Sequence, residues 1–275
     1  MLFLCLIHYA RVLVYGLNKM TKKRFLLTND DGIYARGIEA LYRELSRDAE
    51  CVIVAPEVEQ SAVGHAITVF RPLMVRKARK GGKFLGYAVA GTPADCVKIG
   101  LWELADGPID LVVSGINRGG NVGINVIYSG TISAATEAAI LGVPSLAVSV
   151  DSHQEVDYSA AARFARKMAA FILENPLPNV VFNVNVPAIP EEDIKGVVVT
   201  RQSRTRMIEK FDKRTDPRDN VYYWLTGETV PPAQDEEDTD AGMLRKGMIT
   251  ITPIHCDLTR YDLLDELTKR ARESF

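Results

Sequence analysis

The sequence predicts an α/β fold, with a mostly parallel sheet covered by helices on both faces. Three observations carry that prediction. Strand and helix patterns alternate through the first two thirds of the chain. The strand candidates are near-continuous apolar runs, as in sheets buried on both sides. The helix candidates carry apolar residues at helical spacing and end on recognisable caps.

The elements follow in order. Residues 24–28 form a short apolar run, followed by a helix pattern with Ile38, Leu41, Tyr42 and Leu45 on one face. "CVIVAP" at 51–56 is β-branched and closed by proline, a buried strand. The loop "EVEQSAVGH" comes next, then strand-like pieces at 67–69, 74–78 and 84–90. "GTPADCVKIGLWEL" opens a helix: Thr92 caps it, Pro93 takes its first position and Asp95 sits at the positive end of its dipole. "DLVVSG" at 110–115 is a strand, and a glycine- and asparagine-rich loop runs from 116 to 129. "TISAATEAAILG" is a helix closed by Gly142, "PSLAVSV" a strand, 158–174 an alanine-rich helix and "NVVFNVNVP" a strand.

After about Gly196 the style changes. "GVVVTRQS", "NVYYWLTG" and "GMITITPI" read as strands without long helices between them, which predicts an antiparallel hairpin excursion at about 200–250. An amphipathic helix is expected over 259–272. The acidic run at 235–240 lacks the glycine and glutamate spacing of an EF-hand and reads as a solvated turn.

Composition narrows the function. The 275 residues carry 33 basic and 35 acidic side chains, a net charge of −2, so no global basic excess points to nucleic-acid duplex or an anionic membrane. Cys5, Cys51, Cys96 and Cys256 form no CxxC pair, as expected of reduced thiols in a cytoplasmic protein, with Cys96 packed on a helix face. The opening "MLFLCLIHYARVLVYGLNKM" is apolar but broken by His8 and Arg11, and it lacks a basic start and a cleavage site. Met20 is read as the natural initiator and 1–19 as an upstream extension, leaving 20–275 as one α/β domain.

Ligands of open α/β sheets bind beyond the carboxyl ends of the strands. There the first strand delivers Asn29, Asp30 and Asp31, and the second, through its loop, Ser61, Gly64 and His65. "DLVVSG" delivers Ser114 and Asn117, and the loop after it Asn121, Ser129, Gly130 and Thr131. Two adjacent carboxylates resist joint ionisation unless a positive partner shares the site. Oxygen donors dominate this set, which suits a hard divalent cation, Mg²⁺ or Mn²⁺, better than zinc. Asp30 and Asp31 supply charge, and Ser61 and Asn117 supply neutral oxygens. "YSGTISAATEA" puts Ser129, Gly130 and Thr131 at a helix N-terminus, a place suited to phosphate. A cation beside a phosphate cradle points to metal-assisted phosphoryl chemistry.

"LLTNDDG", the serine of "PEVEQSAVGHAIT", "GTPADCV", "DLVVSGINRGGNVG" and "YSGTISAATEA" occur in the order and spacing of the SurE family, the survival protein E phosphatases. "DTDAGMLRKGMITITPI" resembles the segment after that family's long hairpin, so the resemblance covers about 24–260. It implies a Rossmann-like three-layer α/β/α sandwich, with a hairpin and a C-terminal segment that exchange between subunits in a homodimer or homotetramer. It implies a metal-dependent 5′-nucleotidase that releases phosphate from nucleoside 5′-monophosphates, with 3′-monophosphates and short polyphosphate as further substrates. By resemblance one divalent metal ion per subunit is held by Asp30, Asp31, Ser61 and Asn117. Asn29, Ser129, Gly130 and Thr131 would bind phosphate, with Asp30, Asp31 and Asn117 catalytic and Asp30 the first choice of base. His65 or Asn121 would protonate or position the leaving oxygen. Thr92 and Asp95 would either lie near the nucleoside or cap their helix.

Three rivals are weaker. A haloacid-dehalogenase-type phosphatase needs Asp-x-Asp, and here the two aspartates are adjacent. A receiver module needs an aspartate where this chain has Ser114. A nucleotide-binding regulator on the same fold would bind without turnover.

Overall fold

The computed structural model describes residues 22–152, 154–205, 207–229 and 236–275. The extension expected at 1–19, with Met20, lies outside the described residues.

A nine-stranded sheet runs in the order β3-β4-β2-β1-β5-β6-β7-β11-β8. Its centre is built from β1 (Lys23–Thr28), β2 (Ala49–Pro56), β5 (Leu111–Arg118), β6 (Ser145–Asp151) and β7 (Val181–Pro187), all parallel. β4 (Lys83–Val89) joins parallel to β2, and β3 (Val75–Lys80) pairs antiparallel at the edge. At the other edge β11 (Ile249–Ile254) runs antiparallel to β7 and parallel to β8 (Val197–Val199).

The strands are apolar without alternation because both faces are covered. Phe25 and Leu27 of β1 pack with Ile38 and Leu41 of α1 (Arg36–Leu45) and with Ala165 and Met168 of α4 (Ser159–Glu174). Leu26, between them, points the other way. It packs with Cys96 and Val97 of α2 (Pro93–Ile99) and Ala134 and Ala138 of α3 (Gly130–Ile140). This is the three-layer sandwich the resemblance implied, with successive side chains along a strand buried on opposite faces.

β1 lies between β2 and β5. The chain leaves β1 toward β2 and later returns to β5 on its opposite flank, so the carboxyl ends of β1 and β5 form the topological switch point. Asp30 and Asn117 stand at those two ends.

The excursion is present: β9 (Met207–Thr215) and β10 (Val221–Thr229) form a separate antiparallel pair. α5 (Asp240–Arg245) follows it, and α6 (Leu264–Ser274) closes the chain after a 3-10 turn at Tyr261–Leu263. The final helix thus starts later than the expected 259.

Two expectations are corrected. Residues 67–69 are not a strand, because Thr68 N–H is taken by the Asp95 carboxylate at 2.9 Å and not by a neighbouring strand. The acidic run is not a solvated turn throughout: Glu236 and Asp240 are buried, accepting hydrogen bonds from backbone N–H groups. Among the described residues no helix is long and apolar enough to cross a membrane.

Candidate active site

Asp30 and Asp31 stand where β1 runs out. Gly32 follows with φ +95, which lets the chain turn without a side-chain clash. The turn is tied by Asn29 Nδ2 donating to the Gly32 carbonyl at 3.0 Å. Asn29 is fully buried, and its Oδ1 is a buried acceptor with no partner.

The two carboxylates have different surroundings. Asp30 is buried and accepts the Thr131 hydroxyl at 2.6 Å. Burial raises its pKa, and the hydrogen bonds from Thr131 offset only part of that rise. Asp31 is pushed up to about 6 by burial first, then by the charges of Asp30 and Glu59, with Arg118 pulling the other way. Glu59 acts on both, making it a third carboxylate near the pair.

Backbone contacts bring the remaining sequence-predicted residues in. Gln60 N–H donates to the Asp30 carbonyl at 2.8 Å, which places Ser61 one residue from Asp30. Ser61 Oγ donates to Glu59 Oε1 at 2.5 Å. Arg118 lies near enough to Asp31 to lower its pKa, which brings the preceding residue, Asn117, to the same strand end. Asn117 Nδ2 donates to the Gly119 carbonyl at 2.8 Å, so the side chain's oxygen is its remaining acceptor. Gly37 of α1 seats this strand end: a Cβ there would lie 2.0 Å from the Ile116 carbonyl oxygen.

The N-terminus of α3 faces Asp30. Ser129 caps the helix, accepting Ile132 N–H at 3.1 Å. Gly130 lies so close that a Cβ would meet Asp30 Cβ at 2.8 Å and Pro93 Cγ at 3.1 Å. The acidic pair and the phosphate cradle are therefore one site, joined by the Thr131–Asp30 hydrogen bond.

The remaining candidates hold structure around it. Thr92 and Asp95 form a reciprocal capping box, and they also hold the preceding loop through the Ala66 carbonyl and Thr68 N–H. Asn121 is buried in an amide network with Ser149, Asn183 and Asn185. His65 Nε2 meets Glu137 Oε2 at 2.8 Å, and Lys98 Nζ donates to Glu137 Oε1 at 2.7 Å. Burial pushes the Glu137 carboxyl up, but the bonds from His65 and Lys98 outweigh it and hold the carboxyl low. Glu137 lies seven residues into α3, roughly 10 Å along the axis from Gly130 at the rise of a helix. Sequence reading passed over Glu59, Arg118 and Glu137, and took Asp240 only as part of a solvated turn. Only Glu59 carried a local signal, as an acid two residues before Ser61.

The donors fit a hard divalent cation. Among the described residues no group of three or more His, Cys, Asp and Glu is arranged for a metal. What stands together is two carboxylates plus neutral hydroxyl and amide oxygens, the set preferred by Mg²⁺ and Mn²⁺. Both carboxyls are raised by burial, Asp31 to about 6 with like charge adding to it, and a cation beside the pair relieves that.

The profile of the family described as "Survival protein SurE" matches residues 25–209. The chain belongs to the SurE family. It is 65% identical over 245 residues to "5'-nucleotidase SurE" of Syntrophus aciditrophicus, covering 89% of this chain and 92% of that protein. It is 53% identical over 247 residues to the protein of the same description from Syntrophobacter fumaroxidans, covering 90% and 98%. The crystal structure of the SurE protein from Aquifex aeolicus superposes with a TM-score of 0.78 at 37% identity, covering 90% of this chain and 99% of that one. The fold expected from the sequence is thus that of a solved SurE protein.

Proposed function

We propose that this SurE-family protein is a 5′-nucleotidase, hydrolysing nucleoside 5′-monophosphates to nucleoside and phosphate. The observation that carries the reading is the 2.6 Å hydrogen bond from Thr131 to Asp30, which puts an acidic metal-type site and a phosphate-type helix terminus in one place. The relatives named above are described as 5′-nucleotidases.

Asp30, Asp31, Ser61 and Asn117 would hold one Mg²⁺ or Mn²⁺ ion. When bound, the cation neutralises charge that develops on the phosphoryl oxygens. The chain's own groups do the rest. Ser129, Gly130 and Thr131 present the positive end of α3 to the phosphate. Asn29, through Nδ2 to the Gly32 carbonyl, holds the turn that carries the acidic pair. Asp30, held by the Thr131 hydroxyl beside the helix terminus, is the carboxylate placed to accept the proton of the attacking water. The leaving nucleoside oxygen takes its proton from solvent, because His65 Nε2 is engaged by Glu137.

A cytoplasmic location is part of this reading, and the free thiols of Cys51, Cys96 and Cys256 support it. Burial raises Cys51 to about 12 and Cys96 well above the usual thiol range. The exposed apolar side chains of the β9–β10 hairpin support a homodimer or homotetramer.

The test is phosphate release from a nucleotide panel with Mg²⁺, Mn²⁺ or EDTA, in the wild type, Asp30→Asn and Ser61→Ala. Release should require the metal and fall by about 10²-fold or more in Asp30→Asn, as for loss of a group that acts on transition-state charge. Nucleotide binding without release under any metal would sink the hydrolase reading.

A further inference from the structure

The loop between Asn117 and Ser129 carries groups at both ends of the site, so its path sets their separation. It is held from two sides. On the sheet side, Gly119 N–H donates to the Val150 carbonyl at 2.8 Å, and Asn121 N–H donates to Asn185 Oδ1 at 2.7 Å. On the other side the grip is on Gly123. Its N–H donates to Asp240 Oδ2 at 3.0 Å, and its carbonyl accepts Gln202 Nε2 at 2.6 Å. The next residue, Ile124, donates its N–H to the Thr205 carbonyl at 2.9 Å. The approach is tight: Gly123 has φ +58, and a Cβ there would lie 2.3 Å from the Thr205 carbonyl oxygen.

Asp240 is fully buried, and its carboxylate joins three segments. Besides Gly123, it accepts Ser203 N–H at 2.9 Å and Ala241 N–H at 2.7 Å on the other oxygen. Ser203 precedes β9 and Ala241 follows β10, so both stems of the hairpin meet the site loop at this one side chain. A buried side-chain acceptor serving backbone donors is costly to disturb, because each donor it releases is left unpaired.

We infer that Asp240 is a positioning residue for catalysis: through Gly123 it fixes the loop that sets Asn117 against Ser129, and it ties that loop to the stems of the hairpin. This rests on the 5′-nucleotidase reading.

Asp240→Asn is a selective probe. Its single carbonyl oxygen can still accept from Ser203 and Ala241, while its NH₂ is set against the Gly123 N–H, donor to donor. The stems stay joined and the site loop is released. In the full-length chain with Mn²⁺, kcat for a nucleoside 5′-monophosphate should fall about 10- to 100-fold, the cost of a misplacement near 1 Å. Half-saturation by Mn²⁺ should rise at least about threefold while KM for nucleotide changes less than the kcat. Hydrogen exchange should quicken at Gly123 and Ile124 and stay unchanged in β1 and β5.

Wild-type kcat and Mn²⁺ dependence alongside a loosened Gly123 would overturn the inference. So would a lower kcat accompanied by equal loosening of β1 and β5, since that is general destabilisation. If Asp240→Asn does not fold, Gln202→Ala removes the other side-chain tie to Gly123, and unchanged kcat in that variant counts against the inference. If the wild type hydrolyses no nucleotide, the nucleotidase reading fails on its own. Mn²⁺ affinity by paramagnetic resonance then decides the positioning role: weaker in Asp240→Asn supports it, equal refutes it.

Discussion

At the scale of single residues, the question is how two adjacent carboxylates survive at a buried strand end. Asp31 is raised from 3.8 to about 6, so the folded chain holds its proton more tightly than the unfolded chain does. Its contribution to stability is therefore fully present below 3.8 and is lost as the pH rises through about 6. Asp31→Asn removes that loss. In EDTA, the melting temperature of Asp31→Asn relative to wild type should climb between pH 4 and pH 7, and a flat difference would contradict the burial argument. Added Mn²⁺ should stabilise the wild type more at pH 7 than at pH 5, because cation and proton compete for the same carboxylates. Gly130 supplies a second check. A methyl group there meets Asp30 Cβ at 2.8 Å and Pro93 Cγ at 3.1 Å, so Gly130→Ala should cost about 1–3 kcal/mol of stability and most of the phosphatase activity. Asp30, Asp31 and Thr131 could be picked out in the sequence because each sits within a few residues of a strand or helix end. Asp240 could not, since its partner Gly123 lies 117 residues away and nothing local marks the pairing.

Elements were legible to the degree that their signals were local. The capping box of α2 could be read from Thr92, Pro93 and Asp95 in succession, and the doubly buried strands from their unbroken apolar runs. Residues 67–69 misled because Ile67 and Val69 flank a polar residue in strand-like alternation. Here the backbone N–H of Thr68 goes to Asp95, and Ile67 and Val69 remain exposed. That contact gives the cap a second duty: Asp95 closes the first turn of α2 and holds the loop that begins at Ser61. Asp95→Ala removes acceptors for both Thr92 N–H and Thr68 N–H. Thermal or urea unfolding should show a loss of roughly 1–3 kcal/mol, as for a lost cap with part-buried donors left without partners. Proteolysis of residues 61–70 should become faster. An intact loop with an unfrayed helix would show that the cap does no more than end α2.

For the whole molecule, the hairpin is the feature that a lone chain does not account for. A two-stranded ribbon is marginal in water without a surface to pack on. This one carries Phe211 paired with Leu225, next to Tyr223, on one face and Tyr222 and Trp224 on the other. Phe211, Tyr223, Trp224 and Leu225 are each more than half exposed, and α6 adds Leu264 and Leu267, also exposed. Apolar side chains on both faces of a ribbon call for two coverings, and the proposed second copy would supply both by embracing the hairpin while offering its own. The wild type should therefore sediment at a multiple of 30.4 kDa. Trp224→Glu combined with Phe211→Lys should shift it toward the monomer, because each change leaves a charge to be buried. If the wild type runs as a monomer at micromolar concentration, the hairpin has no second copy to cover it. If the double variant keeps the wild-type mass, the subunits meet elsewhere. A monomeric variant also tests the link through Asp240. Its hairpin stems still converge on Gly123, so a fall in kcat on dissociation, with Mn²⁺ half-saturation moving in step, would show that the hairpin's partner steadies the site loop through that joint.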